Sequence, residues 1–336
     1  MSQYRELKPV REKPSEYDRI RKEIMDVIRR EIFIPLLKEI DAPLLDESVL
    51  KNAQSSPPID ELLDAIRSGR ITFWQGKFRG RLNSAISKEL KRLGAEWDKS
   101  NRCFALPKAK LNREVRKAID ISENTFKTKI KKTVDRLDKL DPENIAKKIK
   151  LEGLFDTTLF RVNEDFKKSV QSITVAPQLT QEQRKRIAEE YAENLRLSIR
   201  GWLKKDILEL RQKMMRSTFE GVRYEQVIDL ITTRYGVSYN KAKFLARQET
   251  NLLLSKFKET RYAEAGVKLY KWRCVLGTPT HPTRPRHKEL SRMSDNGKVF
   301  QFDKPPRTSE DGTPPRYNNP GEDFNCRCVS IPVVKI

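Results

Sequence analysis

One long run of apolar residues at helical spacing constrains the fold of this chain more than any other feature. It follows Thr180-Gln181-Glu182-Gln183, a sequence typical of a capping box at a helix N-terminus. Its members recur at mostly three- and four-residue steps: Ile187, Tyr191, Leu195, Ile199, Leu203, Ile207, Leu210 and Met214. The pattern predicts a single helix from about residue 181 to 219. A helix of this length favours an elongated body or a packed assembly over a compact catalytic domain.

Length and composition narrow the class of protein. The chain has 336 residues, 37% hydrophobic and 35% charged, which is enough for two or three domains. It contains no apolar run of about 18 residues, and Met1 to Lys13 lacks the apolar centre of a signal peptide. We therefore expect synthesis in a cytoplasm and no membrane partner. The four cysteines are too few for a disulfide framework, which favours reduced thiols or a metal site.

The chain is strongly basic, with a formal net charge of +22. Residues 67–117 hold 15 Lys and Arg against 4 Asp and Glu, a net charge of +11 and half of the total. A protein of this kind is attracted to polyanions such as double-stranded DNA. Outside that segment the remaining positive charge is distributed along the chain. There, solvent-exposed helix faces explain the charge as well as binding to a polyanion does.

The N-terminal region is predicted to be an arm followed by helices. Residues 1–15 are expected to be flexible. Glu16 to Ile40 is expected to be helical, because apolar residues recur there at helical spacing, and Pro35 is expected to kink or split the helix. Ile59 to Ser68 is expected to form a short helix.

Residues 70–108 contain strand-like segments, unlike the helical regions on either side. They predict a small strand–helix–hairpin insert among the helices. The predicted elements are a strand at Ile71–Trp74, a helix from Phe78 to about Leu93 ended by Gly94, and strands at Ala95–Asp98 and Arg102–Leu106. Basic side chains alternate here with aromatic ones, a mixture that can bind phosphates and stack on bases. The candidate DNA-binding residues are Lys77, Arg79, Arg81, Lys88, Lys91, Arg92, Arg102, Lys108 and Lys110.

The aromatic residues of the insert have a simpler explanation than nucleic-acid stacking. A unit of about 40 residues needs a core of its own, and we expect most of the aromatic side chains to supply it. These are Phe73, Trp74, Phe78, Trp97 and Phe104. The Lys and Arg side chains remain available for sequence-independent phosphate contact or for an acidic protein partner.

A second helical region leads to the C-terminal segment. Tyr224 to Tyr235 is expected to be a short helix, and Gly236-Val237-Ser238 a turn that starts a long helix ended by Gly266. Glu249 falls in the middle of the apolar face of that helix, where an unpaired charge is costly. We interpret Glu249 as a structural anchor to an Arg or a backbone turn rather than as a catalytic residue.

The last 70 residues predict a compact domain with few strands and loops rich in Pro, Gly, Asn and Asp. The strands are expected at 269–276, 299–302 and 329–334. The predicted fold class is therefore α+β, with predominantly long α-helices, the small insert and a compact C-terminal α+β domain. The expected domains are 1–66 (arm and helices), 67–120 (basic insert), 121–221 (long-helix region) and 222–336 (C-terminal domain).

Five short motifs follow one another in the C-terminal third. They are Ala246-Arg247-Gln248-Glu249-Thr250, Ala265-Gly266-Val267 followed by Lys271-Trp272, Arg284-x-x-His287-x-x-Leu290, Gly297-x-x-Phe300, and Pro320-Gly321 with Asn325-Cys326-Arg327-Cys328. In this order and spacing, residues 222–334 resemble the C-terminal domain of the phage minor head proteins, the head-morphogenesis family that includes Mu F. The motif residues selected by the resemblance are Arg247, Glu249, Trp272, Arg284, His287, Gly297, Asn325, Cys326, Arg327 and Cys328.

The resemblance implies a structural virion component of a tailed phage rather than an enzyme. Proteins of this family are present in few copies, inside or at the base of the head, at the portal vertex and in some cases with packaged DNA. The partners it implies are the portal protein, other head or scaffold proteins and non-specific double-stranded DNA. The implied role is assistance in head morphogenesis and in DNA packaging or ejection.

Two cysteines and a histidine form a candidate metal site. His287, Cys326 and Cys328, with Cys274 or Asp323 as a further ligand, are residue types that zinc prefers. Cys-x-Cys is tighter than the usual spacing of zinc-binding cysteines, and two thiolates with one imidazole are one ligand short of four.

Some relatives in the family carry Cys-x-x-Cys where this chain has Arg284-Pro285-Arg286-His287, so the resemblance implies that one possible ligand is replaced here by Arg284. We therefore prefer an interpretation without a cofactor, in which buried thiols and a hydrogen-bonded His287 hold the terminal loop. In that interpretation Arg284 or Arg327 pairs with Glu249 or Asp323. Zinc is the alternative.

Enzymatic motifs are weak in this sequence. It has no Gly-rich phosphate loop, no His-Glu-x-x-His and no Gly-x-Ser-x-Gly. His287-Lys288-Glu289 offers the His-x-Glu of zinc deaminases, but the Pro-Cys-x-x-Cys partner is missing. We expect a non-enzymatic protein, and the alternative is a metal-dependent nucleic-acid-processing enzyme that uses the His/Cys site.

Overall fold

The computed structural model describes residues 4–40, 62–63, 65–66, 70–74, 76–80, 82–176, 179–219, 224–275, 277, 282–324 and 326–335. The predicted helix Ile59–Ser68 lies largely outside these residues, as do the candidate residues Arg81 and Asn325. Within the described residues the chain is mostly helical, with small antiparallel sheets, which confirms the predicted α+β class.

The helices and strands have the following bounds. The helices are α1 (Pro14–Ile28), α2 (Ile34–Glu39), α3 (Ser84–Arg92), α4 (Arg113–Asp138), α5 (Pro142–Lys147), α6 (Glu152–Val170), α7 (Gln181–Phe219), α8 (Tyr224–Glu264) and α9 (Pro285–Asp295). The strands are β1 (Tyr4–Glu6), β2 (Ile71–Trp74), β3 (Lys77–Gly80), β4 (Glu96–Asp98), β5 (Cys103–Ala105), β6 (Leu269–Arg273), β7 (Phe300–Gln301) and β8 (Val329–Lys335). They form two sheets, in the orders β1-β8-β6-β7 and β2-β3-β5-β4.

The chain packs into two compact units, and neither is a single stretch of sequence. The first unit consists of Met1–Val27, Glu143–Gly201 and Ser238–Ile336. The second unit consists of Ile28–Pro142 and Trp202–Val237. The β1-β8-β6-β7 sheet therefore lies in the first unit, and the insert with its own sheet lies in the second.

Tyr4–Glu6 form the strand β1, so the prediction of a flexible arm at residues 1–15 is wrong for its described part, residues 4–15. β1 pairs antiparallel with β8, with Tyr4 opposite Lys335. Beyond the strand, the N–H of Leu7 donates to the carbonyl of Pro332 (2.8 Å). The side chains of Leu7 and Val10 are buried. Because the partner strand is more than 300 residues away, local sequence gives no sign of this pairing.

Pro35 interrupts the predicted Glu16–Ile40 helix, as expected. A π-helical turn, Arg29–Phe33, separates α1 from α2, and Pro35 lies in the first turn of α2. Proline has no N–H to donate, and a wider turn immediately before it removes the need for that hydrogen bond. The helix is therefore split at the proline.

A buried ion pair fixes α1 to α6 in the first unit. Glu16 accepts two hydrogen bonds from the Arg161 guanidinium (2.6 and 2.9 Å) and one from the Lys13 N–H (3.0 Å). The Glu16 side chain is 2% exposed and that of Arg161 is 19% exposed. A buried carboxylate needs such a bidentate partner, because an unpaired charge at this position would be strongly destabilising.

The long helix predicted from the apolar spacing is confirmed as α7, Gln181–Phe219. Its capping box is reciprocal: the Thr180 N–H donates to Gln183 Oε1 (2.9 Å), and the Gln183 N–H donates to Thr180 Oγ1 (3.2 Å). Within the described residues, none of the helices has a stretch apolar and long enough to cross a bilayer.

The insert contains a hairpin that the sequence prediction missed. Phe78, predicted to open a helix, lies instead in β3, opposite Phe73 of β2. The chain turns back at Gly76, whose φ of +77° suits glycine, and the helix begins later, where Asn83 Oδ1 accepts from the Ile86 N–H (2.8 Å). Of the predicted strands, Ile71–Trp74 is confirmed as β2, and the predicted hairpin is confirmed as β4 and β5.

The aromatic side chains of the insert that the structure describes are mainly core residues. Phe73, Phe78 and Phe104 are buried in one apolar cluster with residues of α3 and α4. Trp97 packs edge-on against Phe104, with 5.0 Å between ring centroids, and remains 44% exposed. The expectation that most of these rings supply the core of the insert is thus confirmed for the three phenylalanines.

The predicted turn at Gly236-Val237-Ser238 does not form. α8 runs without interruption from Tyr224 to Glu264, and Ser238 is buried inside it. A glycine inside a helix costs about 1 kcal/mol relative to alanine. That cost is small compared with the packing of a helix of 41 residues.

The pairing of β1 with β8 predicts that the N-terminal residues contribute to stability. We expect Leu7→Ala to lower the free energy of unfolding by about 2–5 kcal/mol, because it removes a buried side chain and leaves a cavity. Denaturant-induced unfolding measures the change. The control is Arg5→Ala, an exposed position in the adjoining strand β1, which is expected to change the free energy of unfolding by less than about 0.5 kcal/mol. Equal, negligible effects of both substitutions would instead indicate a flexible arm.

Candidate functional site

Two elements of the first unit bring His287, Cys326 and Cys328 together. His287 lies in the first turn of α9, which begins after Arg284 and has Pro285 at its first position. The two cysteines belong to the terminal segment, defined here as residues 319–324 and 326–328, which leads into β8. The prediction of a loop around Arg284 and His287 is therefore wrong, because Pro285 starts a helix rather than a turn.

α9 is attached to β6 through two serine hydroxyls. Ser294 Oγ accepts from the Trp272 N–H (2.8 Å), and Ser291 Oγ accepts from the Cys274 N–H (3.1 Å). His287 lies on the same buried face of α9 as these serines. The Trp272 ring meets the imidazole edge-on, with 5.3 Å between centroids. Trp272 thus forms one wall of the site.

The imidazole of His287 bridges the two thiols and a carboxylate. His287 Nδ1 lies 3.5 Å from Cys326 Sγ and 3.5 Å from Cys328 Sγ. On the other side of the ring, His287 Nε2 lies 3.2 Å from Asp323 Oδ2. All four residues are buried, with between 1% and 6% of their surface exposed. Within the described part of the chain, three of them, His287, Cys326 and Cys328, form a group that could hold a metal ion.

The cluster favours separated charges. Burial opposes a charge on the imidazole, but its hydrogen bonds with Asp323 and Cys326 outweigh burial and raise the pKa of His287 to about 9. The hydrogen bond with Cys328 and then that with His287 hold the pKa of the Cys326 thiol well below its usual value, against the effect of burial. The hydrogen bond with Cys326, followed by burial, raises the pKa of Cys328. These directions favour a positive charge on His287 and a negative charge on Cys326 rather than on Cys328.

The partners of Asp323 differ from those predicted for the site. Burial would raise the pKa of Asp323, but its hydrogen bond with His287 and the neighbouring Arg284 and Arg316 lower it. Arg316 Nη1 lies 3.2 Å from Asp323 Oδ1, so Arg316 forms the ion pair expected of Arg284 or Arg327. Arg284 instead donates to the carbonyl of Phe324 (2.7 Å). Arg284 therefore acts on Asp323 only through its positive charge, which lowers the pKa of that carboxyl.

Polar side chains on one face of α8 hold the terminal segment. Gln248 Nε2 donates to the Glu322 carbonyl (3.2 Å), and Asn251 Nδ2 donates to the Cys326 carbonyl (2.8 Å). Ser255 Oγ donates to Glu322 Oε1 (2.9 Å). Sequence reasoning missed this role of the three donors. Their spacing of three and four residues, in the middle of an otherwise apolar helix, is the signal that could have found them.

Glu249 lies beside this face without the predicted arginine partner. It is 8% exposed, and burial raises its pKa. Among the residues that the structure describes, no hydrogen bond or ion pair reaches its carboxylate. Burial, and then the charge of Glu249, raises the pKa of Tyr191 to about 12. The neighbouring motif residue Arg247 lies over the ring of Tyr17, with 5.1 Å from its Cζ to the ring centroid.

The remaining motif residues have structural positions. Gly297 follows α9 with a φ of +93°, in the left-handed region that favours glycine. Arg327 is half-buried between the two cysteines of the terminal segment. Burial raises the pKa of Glu12, against the opposing charges of Lys258, Arg247 and Arg327.

The candidate DNA-binding residues of the insert that the structure describes are either exposed to solvent or half-buried. Lys88, Lys91, Arg92, Arg102 and Lys110 are exposed, whereas Lys77 and Arg79 are half-buried. Two of these side chains have carboxylate partners: Lys77 lies 3.5 Å from Asp98, and Arg92 lies 2.6 Å from Glu89. Arg81 and the side chain of Lys108 are outside the described part of the chain.

Comparison with known proteins agrees with the motifs of the C-terminal third. Residues 208–331 match the model of the family described as Phage Mu protein F like protein. This match confirms the resemblance predicted for residues 222–334, and it covers the region that contains α8, α9 and the His287 site.

One relative is an uncharacterized protein of Haemophilus influenzae (strain ATCC 51907 / DSM 11121 / KW20 / Rd). It is 32% identical over 123 residues, which are 37% of this chain and 23% of the relative. The similarity thus spans less than a quarter of the relative's length. No solved structure matches this chain.

Glu249 yields a prediction with a defined pH dependence. Burial raises the pKa of Glu249 in the folded state above its value in the unfolded state. Below the unfolded pKa the carboxyl is protonated in both states and does not lower the free energy of unfolding. That stability is lost as the pH rises through the folded pKa. We therefore expect Glu249→Gln to raise the melting temperature at pH 7 and to leave it unchanged near pH 4.

The matched control is Glu190→Gln, which removes a carboxylate that is 62% exposed. This substitution is expected to leave the melting temperature nearly unchanged at both pH values. A lower melting temperature of Glu249→Gln at pH 7 would mean that the carboxylate has a stabilising partner after all.

Proposed function

We propose that this chain is a structural, non-enzymatic minor head protein of a tailed phage. It acts inside the head or at the portal vertex, where it binds the portal protein and contacts packaged DNA without sequence specificity. Its role is to assist head morphogenesis and DNA packaging or ejection. The observation that carries this proposal is the match of residues 208–331 to the Phage Mu F-like family.

The burial of the His287 site supports a structural role for it. The Cys326 thiol and the His287 imidazole resemble a nucleophile and its base, but they are 3% and 1% exposed. A catalytic group must reach its substrate within hydrogen-bond distance, and the ring and thiols are covered by Trp272, Asp323 and the terminal segment. The metal-dependent nucleic-acid-processing enzyme considered as an alternative gains no support from this geometry.

The exposed basic side chains of the insert support the DNA contact. Lys88, Lys91 and Lys110 are exposed and, among the described residues, make no ion pair with a carboxylate. Lysines of this kind can neutralise phosphates without displacing a protein partner. Trp97, exposed beside the turn that holds Arg102, adds an aromatic surface to the same unit.

The role in the head is tested on particles produced by the genome that encodes the chain. We expect mass spectrometry of gradient-purified heads to detect the chain in a few copies, crosslinked to the portal protein. We expect deletion of the gene to give heads that contain less DNA or that fail to deliver it. Absence of the chain from purified heads would refute the proposal, and so would DNA turnover by the purified protein with divalent metals.

Phosphate binding by the insert predicts a change in the salt dependence of DNA binding. We expect Lys88→Ala/Lys91→Ala/Lys110→Ala to weaken binding of duplexes of any sequence equally. Because each lysine that neutralises a phosphate releases counterions, its removal lowers the slope of log K against log salt by about 0.9. Fluorescence anisotropy over a series of salt concentrations measures the slope.

The matched control removes three exposed lysines outside the insert, in Lys131→Ala/Lys132→Ala/Lys204→Ala. It lowers the net charge by the same amount. An equal decrease of the slope in both triple variants would mean that the insert is not the DNA-binding surface.

A further inference from the structure

We propose that His287, Cys326 and Cys328 bind a zinc ion that cross-links α9 to the terminal segment. The three side chains come from two elements about 40 residues apart in sequence, and their candidate ligand atoms, Nδ1 and the two Sγ atoms, all lie within 4.8 Å of one another. This inference is independent of the proposed role in the phage head.

The two nitrogen–sulfur distances match those of a tetrahedral zinc site. Zinc binds imidazole nitrogen at about 2.0–2.1 Å and thiolate sulfur at about 2.3 Å. At the tetrahedral angle, these bond lengths place a ligating nitrogen and a ligating sulfur about 3.6 Å apart. His287 Nδ1 lies 3.5 Å from each of the two sulfurs. Both nitrogen–sulfur edges therefore already have the length that a shared zinc ion requires.

The surroundings of the imidazole also suit a metal ligand. Asp323 Oδ2 lies 3.2 Å from His287 Nε2, where it can accept the hydrogen bond of Nε2–H. In that tautomer the lone pair of Nδ1, the ring nitrogen near the sulfurs, would be available to a metal. Arg316 in turn holds the other oxygen of Asp323. The Cys328 N–H points to Cys326 Sγ (3.4 Å), a contact that stabilises a metal-bound thiolate. This carboxylate–histidine arrangement is the usual second layer of zinc sites.

The ligand set and its charge select the kind of metal. Two thiolates and a neutral imidazole are soft ligands, which favour zinc over magnesium or calcium. Two thiolates also neutralise a divalent cation, which matters because all three ligands are buried. The charge of Asp323 is balanced by Arg316.

The fourth coordination position of the zinc ion would be occupied by Cys274 or by water. Cys274 follows β6, is half-buried, and is fixed to α9 through the hydrogen bond of its N–H with Ser291. Its thiol lies outside the group of three and is 3.8 Å from the Val275 carbonyl. With Cys274 as a ligand the site is a closed, structural one, whereas water would leave an open position.

The full-length chain tests the proposal directly. We expect elemental analysis of the purified protein to find one zinc per chain. After removal of the metal with a chelator, we expect stoichiometric uptake of Co²⁺ with the intense absorption of cobalt–thiolate bonds, followed by its displacement by Zn²⁺. A folded metal-free chain that takes up neither ion stoichiometrically would overturn the proposal, and this experiment needs no variant.

Variants then identify the ligands. Cys326→Ala and Cys328→Ala are expected to lose the stoichiometric metal, and Asp323→Asn to bind zinc about 10- to 100-fold more weakly. Cys103→Ala, which removes a buried cysteine of the other unit, is expected to retain full metal content and the cobalt spectrum. Equal metal loss in Cys103→Ala, or full retention in Cys326→Ala, would contradict the assignment. Loss of one cobalt–thiolate bond in Cys274→Ala would identify Cys274 as the fourth ligand, and an unchanged spectrum would identify water.

Discussion

The hydrogen bonds from α8 to the terminal segment are the interaction on which the rest of the first unit depends. The terminal segment has no regular secondary structure, so its buried backbone carbonyls need partners from elsewhere. Gln248 and Asn251 supply them from one helix face, on which Ser255 also donates to the Glu322 carboxylate. With the segment held there, Cys326 and Cys328 are presented to His287, and β8 begins in register with β6. One polar stripe on a helix thereby positions both the sheet and the buried cluster.

Patterns that repeat locally predicted the fold well, and pairings over long sequence distances did not. The apolar spacing and the capping box located α7, because both signals lie within the helix itself. β1 escaped prediction because its partner, β8, lies at the other end of the chain. Phe78 was assigned to a helix because the turn at Gly76 carries little signal beyond the glycine. The turn predicted at Gly236 does not form, because tertiary packing overrides the low helix propensity of one glycine.

The candidate site was predictable in its residue types but not in its contacts. Two cysteines one residue apart and a rare histidine mark His287, Cys326 and Cys328 in the sequence. The choice of Arg316 over Arg284 as the ion-pair partner of Asp323 depends on how α9 begins, which a loop prediction cannot give. The burial of Glu249 followed from its place on an apolar face. Its lack of a partner among the described residues depends on the tertiary packing around it.

The pairing of β1 with β8 also sets an order of events during synthesis. β1 is translated before the other described elements, and its partner β8 is translated after all of them. The edge of the sheet therefore cannot close until the end of β8 has left the ribosome exit tunnel. Until then β1 lacks the strand it pairs with, and the N–H of Leu7 lacks the Pro332 carbonyl that accepts its hydrogen bond. The sheet that carries the terminal segment is therefore completed only after all of its other strands have been made.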